Sequence, residues 1–379
     1  MADSLIDMLP QPRQVDMYEN FIVDEAVAEW LPCVAAHPYG ASFWTKTTRI
    51  DVEQEDTCIQ SYFLKASPND LGKAMALSEF DGTAAIHKYV PEFGPRPVGW
   101  GQYKSDPNVY FYMCEFADMI DELPEVSSFC KTLAALHKKN MPDSNGKFGY
   151  HITTYGGTMP QYVKWSDTWE GFYIENLKGF ARQERETHGP NDELDAMFPA
   201  LFEKVCPRLL RPLDRGPNKI KPVLIHGDIW YGNVSTHAGT GKAITFDPSV
   251  LWAHNEYELS VMTVARYRLG RQWLKEYHRH FPICDPQEDY EDRLRLYAVH
   301  NHFCAGALRP NTKEMRQKYD FSGKRASGWL AIPVRLMTFD IWSKNIPAAM
   351  KAEDIGDTKR RTPQWSQFSR ARQVSKWCQ

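Results

Sequence analysis

Apolar and polar positions alternate along residues 41–65, where TRIDVEQEDTCIQSYFLK is rich in Thr, Ile, Tyr and Phe. A period of two with an acidic interruption predicts two antiparallel strands joined by an acidic turn. The period then lengthens. SPNDLGKAMALSEFDGTAAIHKYVP has helical spacing, with Ser67 or Asn69 as cap and Pro91 as stop. RPVGWGQYK and NVYFYMCEF return to strand character around the turn SDPN. Residues 1–115 therefore predict a small sheet carrying one helix.

Beyond Glu115 the spacing is mainly helical. PEVSSFCKTLAALHKKN, SDTWEGFYIENLKGFARQE and DELDAMFPALFEKV each place apolar residues on one face, and two long helical stretches follow near 256–281 and 286–305. Only two short runs read as strands here, VLIH before Asp228 and KAITF before Asp247. The expected architecture is α+β and bilobal. A β-rich N-terminal lobe covers 1–115, a connector lies near 115–122, and a mainly helical lobe covers 116–350. The basic, weakly periodic segment 351–379 reads as a solvated or partly ordered extension.

Composition narrows the classes. The 379 residues are 42 % apolar and 25 % charged, with a formal net charge of −3, so no broad field draws nucleic acid or an anionic membrane. MADSLIDMLPQPRQ has no basic region followed by an apolar core, and no apolar run approaches the roughly 18 residues of a membrane span. Cysteines at 33, 58, 114, 130, 206, 284, 304 and 378 form no CxxC pair and no zinc-finger spacing. Scattered cysteines in a chain of this size point to a reducing compartment, so the Asn233-Val234-Ser235 sequon reads as accidental. A soluble, cytoplasmic protein is expected.

The chemistry concentrates at HGDIWYGN, residues 226–233. Asp228 and Asn233 lie five positions apart after a strand, and Asp247 lies fourteen beyond Asn233 after the next one. Phosphoryl transfer from ATP uses such a set. One carboxylate takes the proton of an attacking hydroxyl, while an amide oxygen and a second carboxylate hold Mg²⁺ on the phosphates. Asp-x-x-x-x-Asn is also the spacing of the protein-kinase catalytic loop. In isolation HGD could be a tight turn, with Gly227 supplying backbone freedom. A metallophosphatase would need further His-rich clusters, and no GNH or DxH segment supplies them. Lys65, closing the strand-like SYFLKAS, and Glu79, in the helix that follows, add a cation for phosphate and an acid to pair with it.

In these motifs the chain resembles the fructosamine kinase/ketosamine-3-kinase family, a branch of the aminoglycoside-phosphotransferase-like kinases with a protein-kinase-like fold. HGDIWYGN is similar to the family's HGDLWxGN, and FDPSVLWAHNEYELSVM to its FDPAxYxGHRExDLAM. FGYHITTYGGTMPQYVKWSDTWEGFYIENL, LAALHKK and YEDRLRLYAVHNHFCAGA also resemble family stretches, so the similarity runs from about 38 to 308. The resemblance implies Asp228 as catalytic base, and Asn233 and Asp247 as Mg²⁺ ligands. It implies Lys65 on the ATP phosphates, Glu79 holding Lys65, and the backbone of Glu115 and Phe116 at adenine. His226 would organise the loop, Glu256 would be scaffolding, and Trp230 and His302 would face the acceptor. Two departures stand out. The family's glycine-rich loop reads HPYGASFWTKT here, with Gly40 and Ser42 left to approach phosphate and Trp44 among them, and Asn255 replaces an arginine. The implied activity is ATP- and Mg²⁺-dependent phosphorylation of a ketoamine, a fructosamine or ribulosamine, on a sugar hydroxyl, and hence protein deglycation. The alternatives are the same chemistry on an aminoglycoside, choline or other amino-alcohol, and a catalytically silent binding module.

Overall fold

The computed structural model describes residues 23–31, 35–40, 42 and 44–309. The extension at 351–379, and what the helical lobe was expected to hold beyond 309, lie outside the described residues.

The N-terminal sheet has five antiparallel strands, β1 (Ala35–Pro38), β2 (Lys46–Glu53), β3 (Ile59–Pro68), β4 (Pro97–Gln102) and β5 (Val109–Glu115). Their order is β1-β2-β3-β5-β4. The alternating run predicts β2 and β3 but not β1, a four-residue strand ending in proline that is tolerated because it lies at the sheet edge. Helix α1 (Glu25–Ala28) abuts the sheet, capped by the Asp24 carboxylate accepting the Ala26 N–H at 2.9 Å. Alternation along β3 sends Leu64 and Ala66 into a small core with Ile50, Val52, Phe111 and Met113. Lys65 therefore points to the opposite face, towards α2 (Asn69–Tyr89).

Helix α2 leaves β3 without a loop, and neither expected cap is used. Pairing with β5 continues to Pro68 opposite Val109, which holds Ser67 and Pro68 extended. Pro68 takes the N-cap position without a side-chain bond, and Asn69 turns the corner at φ 68°. Ser67 donates its hydroxyl to the Trp44 carbonyl at 3.0 Å.

The second lobe contains α3 (Val126–Asn140), α4 (Trp169–His188), α5 (Asp192–Ala200), α6 (Cys206–Leu210), α7 (Asn255–Leu259), α8 (Arg271–His280) and α9 (Tyr290–Ala307). Its core centres on Trp169, fully buried, whose indole N–H donates to the Tyr297 hydroxyl at 2.7 Å. The single helical stretch expected near 256–281 is broken. After α7 come two 3₁₀ turns, Ser260–Thr263 and Ala265–Tyr267, then Arg268 at φ 56° and Gly270 opening α8. Thr263, Val264 and Gly270 are weak helix formers, and the Tyr267 carbonyl accepts the Tyr231 N–H at 3.2 Å, which ties this irregular segment to HGDIWYGN. Short strands frame that loop: β6 (Met119–Ile120), β7 (Tyr155–Gly156), β8 (Met159–Pro160), β9 (Val223–Ile225), β10 (Val234–His237), β11 (Ala243–Thr245) and β12 (Leu251–Ala253). Strands β9 and β11 are the two expected runs. Strands β10 and β12 have too few residues to display a period. Because β6 pairs with β10, the connector after Glu115 is stitched to the segment following Asn233. Among the described residues no helix is long and apolar enough to cross a membrane.

Candidate active site

Strand β9 ends at Ile225 and the chain reverses at once. Gly227 has φ 82°, and a Cβ there would lie 2.0 Å from the Ser249 carbonyl oxygen, so only glycine fits. The Ser249 N–H donates to the His226 carbonyl at 2.8 Å, locking this turn to the chain just after Asp247. The fully buried Glu258 carboxylate of α7 accepts the His226 N–H at 3.1 Å and the Gly227 N–H at 2.7 Å. His137 of α3 meets the same carboxylate at 3.0 Å and the Tyr277 hydroxyl at 2.8 Å. Burial alone would raise the Glu258 carboxyl; the hydrogen bond and charge of His137, with His226 and the Gly227 N–H, hold it below its ordinary value. His226 is buried, and its Nδ1 accepts the Asp228 N–H at 3.3 Å.

Asp228 is thereby presented on a fixed backbone. Asn233 donates its amide to the Asp228 carbonyl at 3.0 Å and to Oδ2 at 2.9 Å. Burial, reinforced by the Asp247 charge and opposed by the Asn233 hydrogen bond, pushes the Asp228 carboxyl up to about 7. Asp247 follows β11 in the left-handed region at φ 55°. It pairs with Lys65, whose ammonium also donates to Glu79 at 2.7 Å. Glu79, held between burial and the Asp247 charge on one side and Lys65 on the other, is raised above the usual carboxylate range. Five expected residues thus converge from β3, α2 and the two loops.

A cleft of about 490 Å³, open to solvent, lies beside them and is lined by Lys65, Glu79, Tyr112, Glu115, Phe116 and Phe246 among others. Glu115 and Phe116 do border it, but their N–H groups serve the sheet, donating to Arg96 O at 2.8 Å and Ser61 O at 2.9 Å. What this connector offers a bound base is therefore carbonyl groups and the N–H of Ala117, the next residue and also part of the lining. Of the atypical loop, Gly40 has φ 74°, while Ser42 accepts the Thr45 N–H at 3.1 Å. The Trp44 indole N lies 3.4 Å from where a Cβ on Gly157 would be, so this side chain of the first lobe reaches the β7–β8 hairpin of the second.

On the other side of Asp228, Trp230 is half-buried against the large core, its ring edge-on to Tyr231 at 4.8 Å and Tyr267 at 6.2 Å. A Cβ on Gly232 would come within 2.4 Å of that ring. His300 and Asn301 line a small cavity with Asp228. His302, the next residue along α9, is buried with its Nδ1 3.0 Å from Arg266. Glu256 is buried in a two-bond pair with Arg293, at 2.7 and 3.0 Å, and also accepts the Cys284 N–H at 3.0 Å. Asn255 is buried and donates to the Tyr277 hydroxyl at 3.2 Å. Sequence reasoning missed Glu258, His137, Arg266 and Tyr267. The signal for Glu258 was available: two acids in NEYEL, one residue apart, on a helix that follows the second motif.

The sequence profile of the fructosamine kinase family matches residues 45–309. The chain is 25 % identical over 249 residues to the chloroplastic protein-ribulosamine 3-kinase of Arabidopsis thaliana, 64 % of this chain and 69 % of that one. It is 30 % identical over 167 residues to the ketosamine-3-kinase of Mus musculus, 42 % of this chain and 50 % of that one. Among solved structures, a candidate fructosamine-3-kinase from Haemophilus somnus 129PT superposes with a TM-score of 0.60 at 17 % identity, covering 85 % of this chain and 97 % of that one. The aminoglycoside phosphotransferase APH(4)-Ia does so at 0.54 and 12 % identity, covering 85 % and 98 %. At these identities the two structures establish the fold, the bilobal architecture of kinases.

Proposed function

This chain belongs to the fructosamine kinase family and is a small-molecule kinase that transfers phosphate to a hydroxyl; from that premise we propose that it phosphorylates a ketoamine on a sugar hydroxyl, with ATP as donor and deglycation as the result. The observation that carries the reading is Asp228, fixed by Asn233 and by the Glu258-bound loop, across from the Lys65–Glu79–Asp247 cluster. Asp228 is the base. With its carboxyl pushed up to about 7 it can accept the proton of an attacking hydroxyl near neutral pH. Asn233 occupies Oδ2, which leaves Oδ1 for the acceptor.

The donor set fits Mg²⁺. The Asn233 amide nitrogen is spent on Asp228, so its oxygen and a carboxylate oxygen of Asp247 are the hard donors, and Mg²⁺ prefers one or two such ligands alongside phosphates and water. Bound there, the ion would neutralise phosphate charge. Lys65, held by Glu79 and Asp247, is placed to meet the phosphates of a nucleotide lying against Glu115, Phe116 and Ala117. Trp230 borders the acceptor, with His302 set behind it through Arg266.

The test is a coupled ADP-release assay with Mg²⁺·ATP across ketoamines, aminoglycosides and choline. Ketoamine-dependent turnover that falls about 10² to 10⁴-fold in Asp228→Asn, with nucleotide affinity retained, is the expected result. Turnover confined to aminoglycosides or choline would refute the ketoamine assignment.

A further inference from the structure

We propose that the acceptor end of the site contains an anion subsite formed by Arg266 and Arg268, and that the ketoamine it selects carries a carboxylate beside its amine nitrogen, as a glycated free amino acid does. This rests on the ketoamine reading above and names the acceptor class within it.

Both arginines stand on the segment whose backbone is bonded to the catalytic loop between Tyr231 and Tyr267. The Arg266 guanidinium is half-buried, and among the described residues its hydrogen-bond partners are neutral: His302 Nδ1 at 3.0 Å, the Tyr267 hydroxyl at 2.7 Å and the Asn301 carbonyl at 2.7 Å. It also lies 4.4 Å from the Tyr267 ring centre. Its Nε is buried without a hydrogen-bond partner. Arg268, exposed and in the left-handed region, places its guanidinium 4.5 Å over the Tyr231 ring. Among the described residues neither arginine pairs with a carboxylate. That is unlike Arg293 with Glu256, Arg208 with Asp289, Arg211 with Glu170 and Arg271 with Glu291.

The location points to the acceptor. Tyr267 packs on Trp230, and Asn301, whose carbonyl holds Arg266, lines the cavity at Asp228. Burial and the Arg266 charge hold the His302 imidazole well below its ordinary value, so His302 adds no cation. A partly desolvated guanidinium without an anion is costly, and the second Nη1 N–H of Arg266 together with the exposed guanidinium of Arg268 are the donors left for a carboxylate. A polycationic acceptor would meet repulsion here.

The experiment compares N-(1-deoxyfructosyl)glycine with its glycinamide, which differs by one charge at constant size. In the wild-type protein kcat/KM should favour the acid by about 10- to 100-fold, the discrimination a charge-assisted hydrogen bond gives. Arg266→Gln and Arg268→Gln should each shrink that ratio while leaving the KM for ATP unchanged. Equal efficiency for acid and amide would overturn the subsite while leaving the ketoamine reading intact. A ratio that survives in both variants would also overturn it. Turnover of neither compound, with choline or hygromycin B phosphorylated instead, would overturn the ketoamine reading and the subsite with it. The wild-type ratio decides even where Arg266→Gln fails to fold, and Arg268 is exposed enough to substitute freely.

Discussion

Glu258→Gln is the change that most directly tests how the catalytic loop is held. One carboxylate oxygen accepts the Gly227 N–H at 2.7 Å; the other accepts the His226 N–H at 3.1 Å and faces His137 Nε2 at 3.0 Å. A glutamine must turn its NH₂ towards one of these positions. Turned to the first, it opposes the Gly227 N–H; turned to the second, it opposes the His226 N–H. Either way a buried backbone donor loses its acceptor and an amide donor is buried opposite it. An unsatisfied buried group costs about 1–3 kcal/mol, so the loss should be on the order of 2–4 kcal/mol. With an unfolding entropy of about 2.1 cal/mol/K per residue, a chain of 379 residues shifts by about 1.3 °C per kcal/mol, so the melting temperature should fall by roughly 3–5 °C. Asp228 is two bonds of this network away, so kcat should drop further than stability explains when measured well below the transition. Differential scanning calorimetry and the ADP-release assay read the two effects separately. A Glu258→Gln protein that melts within about a degree of wild type and keeps its kcat would show that this carboxylate does not hold the loop.

Other residues give sharper single-parameter outcomes. Gly227→Ala combines φ 82° with a Cβ 2.0 Å from the Ser249 oxygen, and should abolish turnover or folding; a stable, active variant would contradict the turn geometry. Gly232→Ala drives a methyl within 2.4 Å of the Trp230 ring, so the acceptor KM should rise several-fold with the ATP KM unchanged; parallel changes in both would place Trp230 in the core alone. Arg293→Met strands the Glu256 carboxylate in the interior and should cost about 3–5 kcal/mol in urea unfolding, whereas a loss below about 1 kcal/mol would mean the buried pair is not compensated by this arginine.

The parts of this protein that were legible in the sequence are those where one period runs long enough to be counted or one side chain does one job. The eight residues of β2 and ten of β3 show their alternation, and the 21 of α2 show a helix. The four of β1 and the three of β12 cannot. The cap of α2 was misjudged because Ser67 and Asn69 obey local preferences only until a ladder competes for the same backbone; pairing to Val109 wins, since extended Pro68 then enters the helix directly. The site divides along similar lines. Asp228, Asn233, Asp247, Lys65 and Glu79 could be named from their spacing before any fold was known, and the fold brings them together. Glu258 and His137 hold the same loop from 31 and 90 residues away in sequence; only the acid pair of NEYEL pointed to Glu258, and nothing in the local pattern of His137 distinguishes it from helix residues that merely pack. Arg266 was hidden for a further reason. Half-buried Arg49 declares itself through Asp51 two residues on, whereas the partners of Arg266 are a carbonyl, a hydroxyl and an uncharged imidazole. Among the described residues no carboxylate pairs with its charge, and the proposed anion subsite would use that charge.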